Sequence, residues 1–417
     1  MLFLPLATKA QGLRLEDCQK LAQENYPLIK KYDLIEKTTD YTISNLNKGN
    51  LPKIIINAQA SYQSDVMTLP GILKNMLASN GSNVKGLKKD QYKLSLEVNQ
   101  NIYDGGNIRA GKELTISEGE VKRQQNGVDM YAMRDRINNL FFGILLVDNQ
   151  LRLNEELQTL LSDNCRKIKA MIAAGTAMPS DVDAVQAQYL STMQQHIKLE
   201  SSQESYRRIL SIFIGKEINS PLVKPDTLMP ASMEVMRPEL QLFNAQSNLV
   251  EAQRKMLNAT LRPTISIYAQ GYYGYPGYDM FNDMFNHDWS INGIIGVRLS
   301  WNISKLYTHK NDRRKLEVAC SEIENAKDVF LFNNSIQTSE ERTRIEHYRK
   351  IMQEDDKIIN LRTSVRKAAE AKLKHGIFDV NNLLQEITHE NYSRMEKATH
   401  EIELLKNIYE LKNTLNQ

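Results

Sequence analysis

The residues best equipped for chemistry are three acidic clusters, Glu340-Glu341, Glu354-Asp355-Asp356 and Glu386-Ile-Thr-His389-Glu390, each inside a helical pattern. The last sets carboxylates beside an imidazole, a combination that serves zinc or proton transfer. Two ligands on one helix would need a second His one turn on, and none follows His389, so all three clusters read as solvated, charged helix faces. Cys18, Cys165 and Cys320 are odd in number and far apart, giving neither a disulfide framework nor a zinc spacing. Gly271, Gly274 and Gly277 lie among tyrosines and belong to a turn, not a phosphate cradle. No Gly-x-Ser-x-Gly, phosphate-binding glycine loop or Cys-x-x-Cys occurs. The expectation is a protein that is not an enzyme and has no catalytic residue, metal site or cofactor.

What remains is architecture. Lys and Arg number 53 against 50 Asp and Glu, a net charge of +3 that gives no argument for nucleic acid. Hydrophobic residues make up 41% of the chain and mean hydropathy is -0.47. No stretch approaches the ~18–20 apolar residues of a spanning helix. A β-barrel escapes that test, because only alternate strand residues meet lipid. Residues 1–10, Met-Leu-Phe-Leu-Pro-Leu-Ala-Thr-Lys-Ala, resemble the remnant of a secretory signal with cleavage after Ala10, so export is expected.

The clearest alternation runs from Tyr92 to Tyr103. Tyr92, Leu94, Leu96, Val98 and Ile102 point one way, and Lys93, Ser95, Glu97, Asn99 and Asn101 the other. Asp104-Gly105-Gly106 ends that strand, and a proline-free helix follows over 107–174, roughly 100 Å long if continuous. A strand of membrane-crossing length feeding so long a helix suggests a barrel continued by a helical tube.

The same plan occurs twice. An offset of 211 carries Pro27 onto Pro238, Asn47 onto Asn258, Pro52 onto Pro263, Ile54 and Ile56 onto Ile265 and Ile267, and Tyr62 onto Tyr273. Beyond the fourth strand the offset becomes 201, carrying Asn101-Ile102 onto Asn302-Ile303 and Gly175 onto Gly376. The first repeat, 11–214, therefore holds helices over 13–47 with a junction at Pro27, strands 52–62 and 91–103, long helix 107–174, turn 175–181 and return helix 182–214. A proline-rich linker, 215–236, leads to the second repeat, 237–417, with helix 238–260, strands 263–273 and 290–303, long helix 307–375, turn 376–382 and return helix 382–416. Residues 63–90 read as a long loop with a helical turn at Ile72–Leu77. Tyr62, Tyr92, Tyr272, Tyr273, Trp289 and Trp301 near strand ends suit an interfacial aromatic girdle.

Both long helices turn at a glycine, Gly175 or Gly376, which supplies a left-handed cap. Six residues on stand Asp181 or Asn382, types that accept a hydrogen bond at a helix start, followed by Val182 or Leu383. Two such turns at one offset are a specific signature. Together with the opening Leu13-Arg-Leu-Glu-Asp-Cys-Gln-Lys-Leu-Ala-Gln-Glu-Asn-Tyr-Pro27 and the passage Asn101-Ile-Tyr-Asp-Gly-Gly106, they make the chain resemble the outer-membrane efflux protein (TolC) family over nearly all its mature length. The resemblance implies a mainly α fold with a small β part. Long antiparallel coiled-coil helices form an α-barrel, and four strands per subunit join a trimeric, twelve-stranded transmembrane β-barrel in outer-membrane lipid.

It further implies a passive exit duct of a tripartite efflux or type I secretion system, spanning outer membrane and periplasm. Its partners would be its own copies in a homotrimer, a periplasmic adaptor protein and an inner-membrane transporter. The turns at Gly175, Asp181, Val182, Gly376, Asn382 and Leu383 would dock the adaptor. In such proteins acidic residues constrict the periplasmic mouth at positions matched here by Asn382 and Gln385, so a weaker charge filter is expected. Independently of the resemblance, four strands cannot close a barrel, for which about eight is the small end, and copies must combine. A luminal polar face would be lined by Lys93, Glu97, Asn99, Arg298 and Ser300. The rival reading is a soluble or periplasmic coiled-coil scaffold that binds partners through its helices.

Overall fold

The computed structural model describes residues 12–81, 84–375, 377 and 379–417. The signal remnant expected over 1–10 and the tip glycine Gly376 lie outside the described residues. The described residues are mainly helical, with one four-stranded sheet. Its first elements are α1 (Leu15–Asn25), α2 (Ile29–Lys48), β1 (Lys53–Tyr62), α3 (Gly71–Ser79), β2 (Asp90–Tyr103), α4 (Asn107–Tyr131), α5 (Met133–Ala173) and α6 (Pro179–Ile214). Then come α7 (Pro238–Ala259), β3 (Thr264–Tyr275), α8 (Met280–Asn286), β4 (Ser290–Ser300), α9 (Lys305–Lys374) and α10 (Val380–Leu415).

Several boundaries differ from those expected. The helix over 107–174 is interrupted at Ala132, which keeps helical angles (φ -58, ψ -19) and donates to the Val128 carbonyl at 3.1 Å, so the interruption is one residue wide. By contrast α9 runs unbroken through 70 residues. The fourth strand stops at Ser300 because the chain turns over Asn302–Lys305, where the Lys305 N–H reaches the Asn302 carbonyl. The aromatic loop of the second hairpin holds a short helix, α8, whose start is fixed by Asp279 accepting the Asn282 N–H at 3.0 Å.

Compactness cuts across the sequence repeat. One unit takes the described part of Met1–Asp33, with Arg123–Phe243 and Glu324–Gln417; the other takes Leu34–Lys122 and Asn244–Ile323. Each contains pieces of both repeats, since hairpin β1–β2 is joined to hairpin β3–β4 through an antiparallel β2–β3 pairing.

In the sheet-bearing unit the order is β1-β2-β3-β4, all antiparallel. At the end of β2, Asp104 accepts the N–H of Gly106 at 2.9 Å and of Ile108 at 2.6 Å, ending the strand and capping α4 with one carboxylate. The hairpin loops are fastened to one another. Val84, Leu87, Tyr275 and Met284 form a small buried cluster, the Tyr275 hydroxyl bridges the Lys88 N–H and the Asp283 carbonyl, and His287 Nε2 lies 2.6 Å from the Gly86 carbonyl.

In the other unit the largest core gathers Leu15 and Cys18 of α1, Phe141 and Phe142 of α5, Leu210 of α6, and Ile408 of α10. The segment after α6 is tied in by a parallel bridge between Leu13 and Leu222. Gly215 ends α6 in the left-handed conformation (φ +70), and Asn25 Nδ2 donates to the Ile212 and Phe213 carbonyls left over there.

Candidate functional site

Residues opposite one another in neighbouring strands share a face, so the register sorts every side chain. One face carries Ile54, Ile56, Ala58 and Ala60 of β1 opposite Val98, Leu96, Leu94 and Tyr92 of β2; it continues through Ala269 and Tyr273 of β3 to Ile295 and Ile291 of β4. This apolar face is the exposed one: Ile291 is 86%, Ile295 76% and Ile56 71% accessible. The other face is polar and better covered, with Ser95 at 5%. There Gln270 Nε2 donates to Glu97 Oε1 at 2.8 Å, Lys93 lies over the Tyr272 ring at 4.2 Å, and Arg298 lies over Tyr268 at 4.7 Å. Ile55 and Ile294 depart from the pattern, and both stand in the row of Glu97 and Gln270.

An ordinary sheet in water does the opposite, burying its oily side. Among the described residues both outer edges, of β1 and of β4, lack a strand partner within the single chain. Aromatic residues mark the strand ends of the apolar face: Trp289 stacks on Tyr92 at 5.9 Å and leans on Tyr273 at 5.2 Å, and Trp301 Nε1 donates to the Leu261 carbonyl at the opposite end. Tyr272 does not belong to this girdle; its register sets it on the polar face, where it is buried beside Lys93. Among the described residues no helix is long and apolar enough to cross a membrane.

The two helical turns share a backbone plan. At the first, the Gly175 N–H donates to the Ile172 carbonyl and the Thr176 N–H to the Met171 carbonyl, both at 2.9 Å, with Gly175 at φ +77. That is a Schellman closure. At the second, the Ile377 N–H reaches the Lys372 carbonyl at 2.9 Å, the equivalent bond at the offset of 201. The return helices begin earlier than expected. Pro179 occupies the first position of α6, which makes Asp181 a third-position residue reaching back to the Met178 N–H at 2.8 Å. In α10 the cap is Asp379, accepting the Asn382 N–H at 2.8 Å. Asp379 was missed as a cap although Asp directly before apolar Val380 is the signal for one.

The expected tip residues therefore separate. Gly175 and Gln385 are exposed, and Asp181, Val182 and Asn382 are half-buried. Leu383 is not on a surface at all: it is 1% exposed, packed with Leu161, Ile168, Val185, Leu373 and Ile387, and so joins α5, α6, α9 and α10 at their turn ends.

The acidic clusters are only partly solvated, contrary to the sequence expectation. His389 is exposed, yet Glu390, the next residue round the helix, is buried, and Arg366, Arg394 and Thr363 donate to its carboxylate. Burial raises its pKa, but those three donors outweigh burial and the net direction is down. Asp355 is buried against His400 at 3.0 Å. Glu341 is 3% exposed; one oxygen accepts from Thr414 and Gln337, the other has no partner, and burial raises its pKa despite the two donors. The reason in each case is the helical period, which turns one acid of a run inward while its neighbours stay in water. Among the described residues no group of His, Cys, Asp and Glu could hold a metal.

No protein-family model matches the sequence, and no curated protein matches it. Solved structures do. The outer membrane protein VceC of Vibrio cholerae is 11% identical, with 96% of this chain and 95% of that one covered at a TM-score of 0.68. The outer-membrane channel OprN is 13% identical over 96% and 89%, also at 0.68. The open state of the MtrE outer membrane channel of Neisseria gonorrhoeae is 13% identical over 96% and 88%, at 0.66. With the inverted sheet and the paired glycine turns, these matches establish that the chain has the TolC-family fold of the outer-membrane efflux channels.

Proposed function

We propose that the protein is an outer-membrane channel, a passive exit duct through which an inner-membrane transporter expels its cargo. The observation that carries this reading is the sheet turned inside out: oily residues outward, charged and amide groups on the better-covered face, and, among the described residues, both edges unpaired. In lipid an unpaired edge costs several kcal/mol per backbone group, so the strands must be pooled between copies. Three copies would give the twelve strands of a closed barrel, and a homotrimer is the assembly proposed. The exposed turn residues Gly175, Thr176 and Met178, with the half-buried Asp181, Val182 and Asn382, are proposed to meet a periplasmic adaptor. Leu383 would act there by holding the helix ends together. A soluble scaffold would leave the apolar sheet face in water.

The test is membrane fractionation followed by reconstitution. The protein should sediment with outer membranes, resist carbonate extraction, migrate as a trimer and support ion conductance across a planar bilayer. Recovery as a soluble, non-conducting species would overturn the reading.

A further inference from the structure

The polar face of the sheet has a sign. The strands carry Lys53, Lys93, Glu97 and Arg298 on that face, three cations against one acid; Asp90, the remaining charge, falls by register on the apolar side, opposite Tyr62. Glu97, the one acid among them, accepts a hydrogen bond from the Gln270 amide. Lys93 and Arg298 lie over tyrosine rings, which hold them against the wall. The loops do not cancel the excess: residues 63–89 and 276–289 together hold four Lys and four Asp.

We infer that the barrel segment of this duct is an anion-preferring conduit, so that the solutes it passes most readily are negatively charged. The inference rests on the channel reading above. In that reading each copy contributes a net excess of two positive charges to a water-filled bore with low-dielectric walls, where fields of one sign are focused and counter-ions accumulate. Lys93 and Arg298 are the specificity-determining residues, and Glu97 opposes them. Their rings matter as well. Tyr268 and Tyr272 fix the two cations, so the charge is placed rather than smeared over long flexible stems.

The experiment is a reversal-potential measurement on the purified, reconstituted trimer in a tenfold potassium chloride gradient at neutral pH. The wild type is expected to pass chloride over potassium, more strongly in dilute than in concentrated salt. Lys93→Gln with Arg298→Gln should lower the chloride-to-potassium permeability ratio by roughly twofold or more, and Glu97→Gln should raise it. Opposite movements in two variants that each replace a charge by an amide distinguish an electrostatic role from a loosened barrel. Trimer migration of each variant confirms assembly, and the single changes Lys93→Gln and Arg298→Gln replace the double one if it fails to assemble. A cation-selective wild type, or a ratio unmoved by these changes, would overturn the inference while leaving the channel intact. A trimer with no conductance would overturn the channel reading itself, and the inference with it.

Discussion

The main-chain N–H of Asn382 donates to the Asp379 carboxylate at 2.8 Å, and at the other turn the Met178 N–H donates to Asp181 at the same distance. The offset of 201 maps Met178 onto Asp379 and Asp181 onto Asn382. One carboxylate per turn thus closes the same pair of backbone positions from opposite ends. Replacing either acid by alanine is expected to weaken the start of its return helix by about 1 kcal/mol. Hydrogen exchange should show it locally, with faster exchange at the Asn382 amide in Asp379→Ala and at the Met178 amide in Asp181→Ala, and little change elsewhere.

A charge on the oily side of the sheet is expected to be costly in proportion to depth. In the proposed barrel, Ile295→Lys should destabilise the assembly by ~2–4 kcal/mol, as for a cation near the bilayer midplane. Asn57→Lys, on the polar face, should cost far less. Urea unfolding of both variants in lipid vesicles measures the difference, and equal costs would contradict the assignment of faces.

Two glycines with different surroundings should respond differently to alanine. Gly175 has a left-handed backbone and open space, so Gly175→Ala should cost about 1 kcal/mol of backbone strain alone. At Gly274 a methyl group would lie 2.1 Å from the Tyr92 carbonyl oxygen. Gly274→Ala should therefore disrupt the β2–β3 pairing and prevent migration as the proposed trimer on gels, while Gly175→Ala leaves that migration unchanged.

The buried acids give opposite pH signatures. Glu390 binds its proton less readily folded than unfolded, so its contribution is present above the ordinary value near 4.5 and is lost as pH falls through its lower folded value. Glu341 binds its proton more readily when folded, so its contribution is present below the ordinary value and declines as pH rises through its raised one. Glu390→Gln should cost about 2–4 kcal/mol at neutral pH and remove part of the acid-side loss. Glu341→Gln should stabilise at neutral pH and flatten the decline on the alkaline side. Melting temperature against pH for the two variants separates them.

At the proposed mouth, Asn382 and Gln385 are neutral, and exposed Asp379 is the acid beside them. Block by a trivalent cation added from the turn side should be weak, and whatever block occurs should disappear in Asp379→Asn. Single-channel recording decides it, since strong block that survives the substitution would place the filter elsewhere.

The strands, long helices and glycine turns were legible because each rests on a local rule. Alternation from Tyr92 to Val98 fixed both faces of β2, and positive φ at Gly175 follows from its residue type. What escaped depends on neighbours remote in sequence. Glu390 looks like one more acid in a charged run; only α9, bringing Arg366 alongside, reveals it as a buried centre. Tyr272 looks like its girdle neighbour Tyr273, and only the register across to β2 sets it beside Lys93. Leu383 follows the turn in the same way as Val182, yet sinks into a four-helix cluster that no single helix could announce.

The pairing of β2 with β3 brings Tyr92 opposite Tyr275, residues that lie almost half the chain apart. Such non-local contacts are slow to form, because a long segment must be confined before any ladder bond rewards it. The first hairpin must therefore wait, its central edge bare, until the second has been delivered. On the proposed channel reading, insertion into a bilayer then becomes a late event in the life of the polypeptide, after both hairpins have been made.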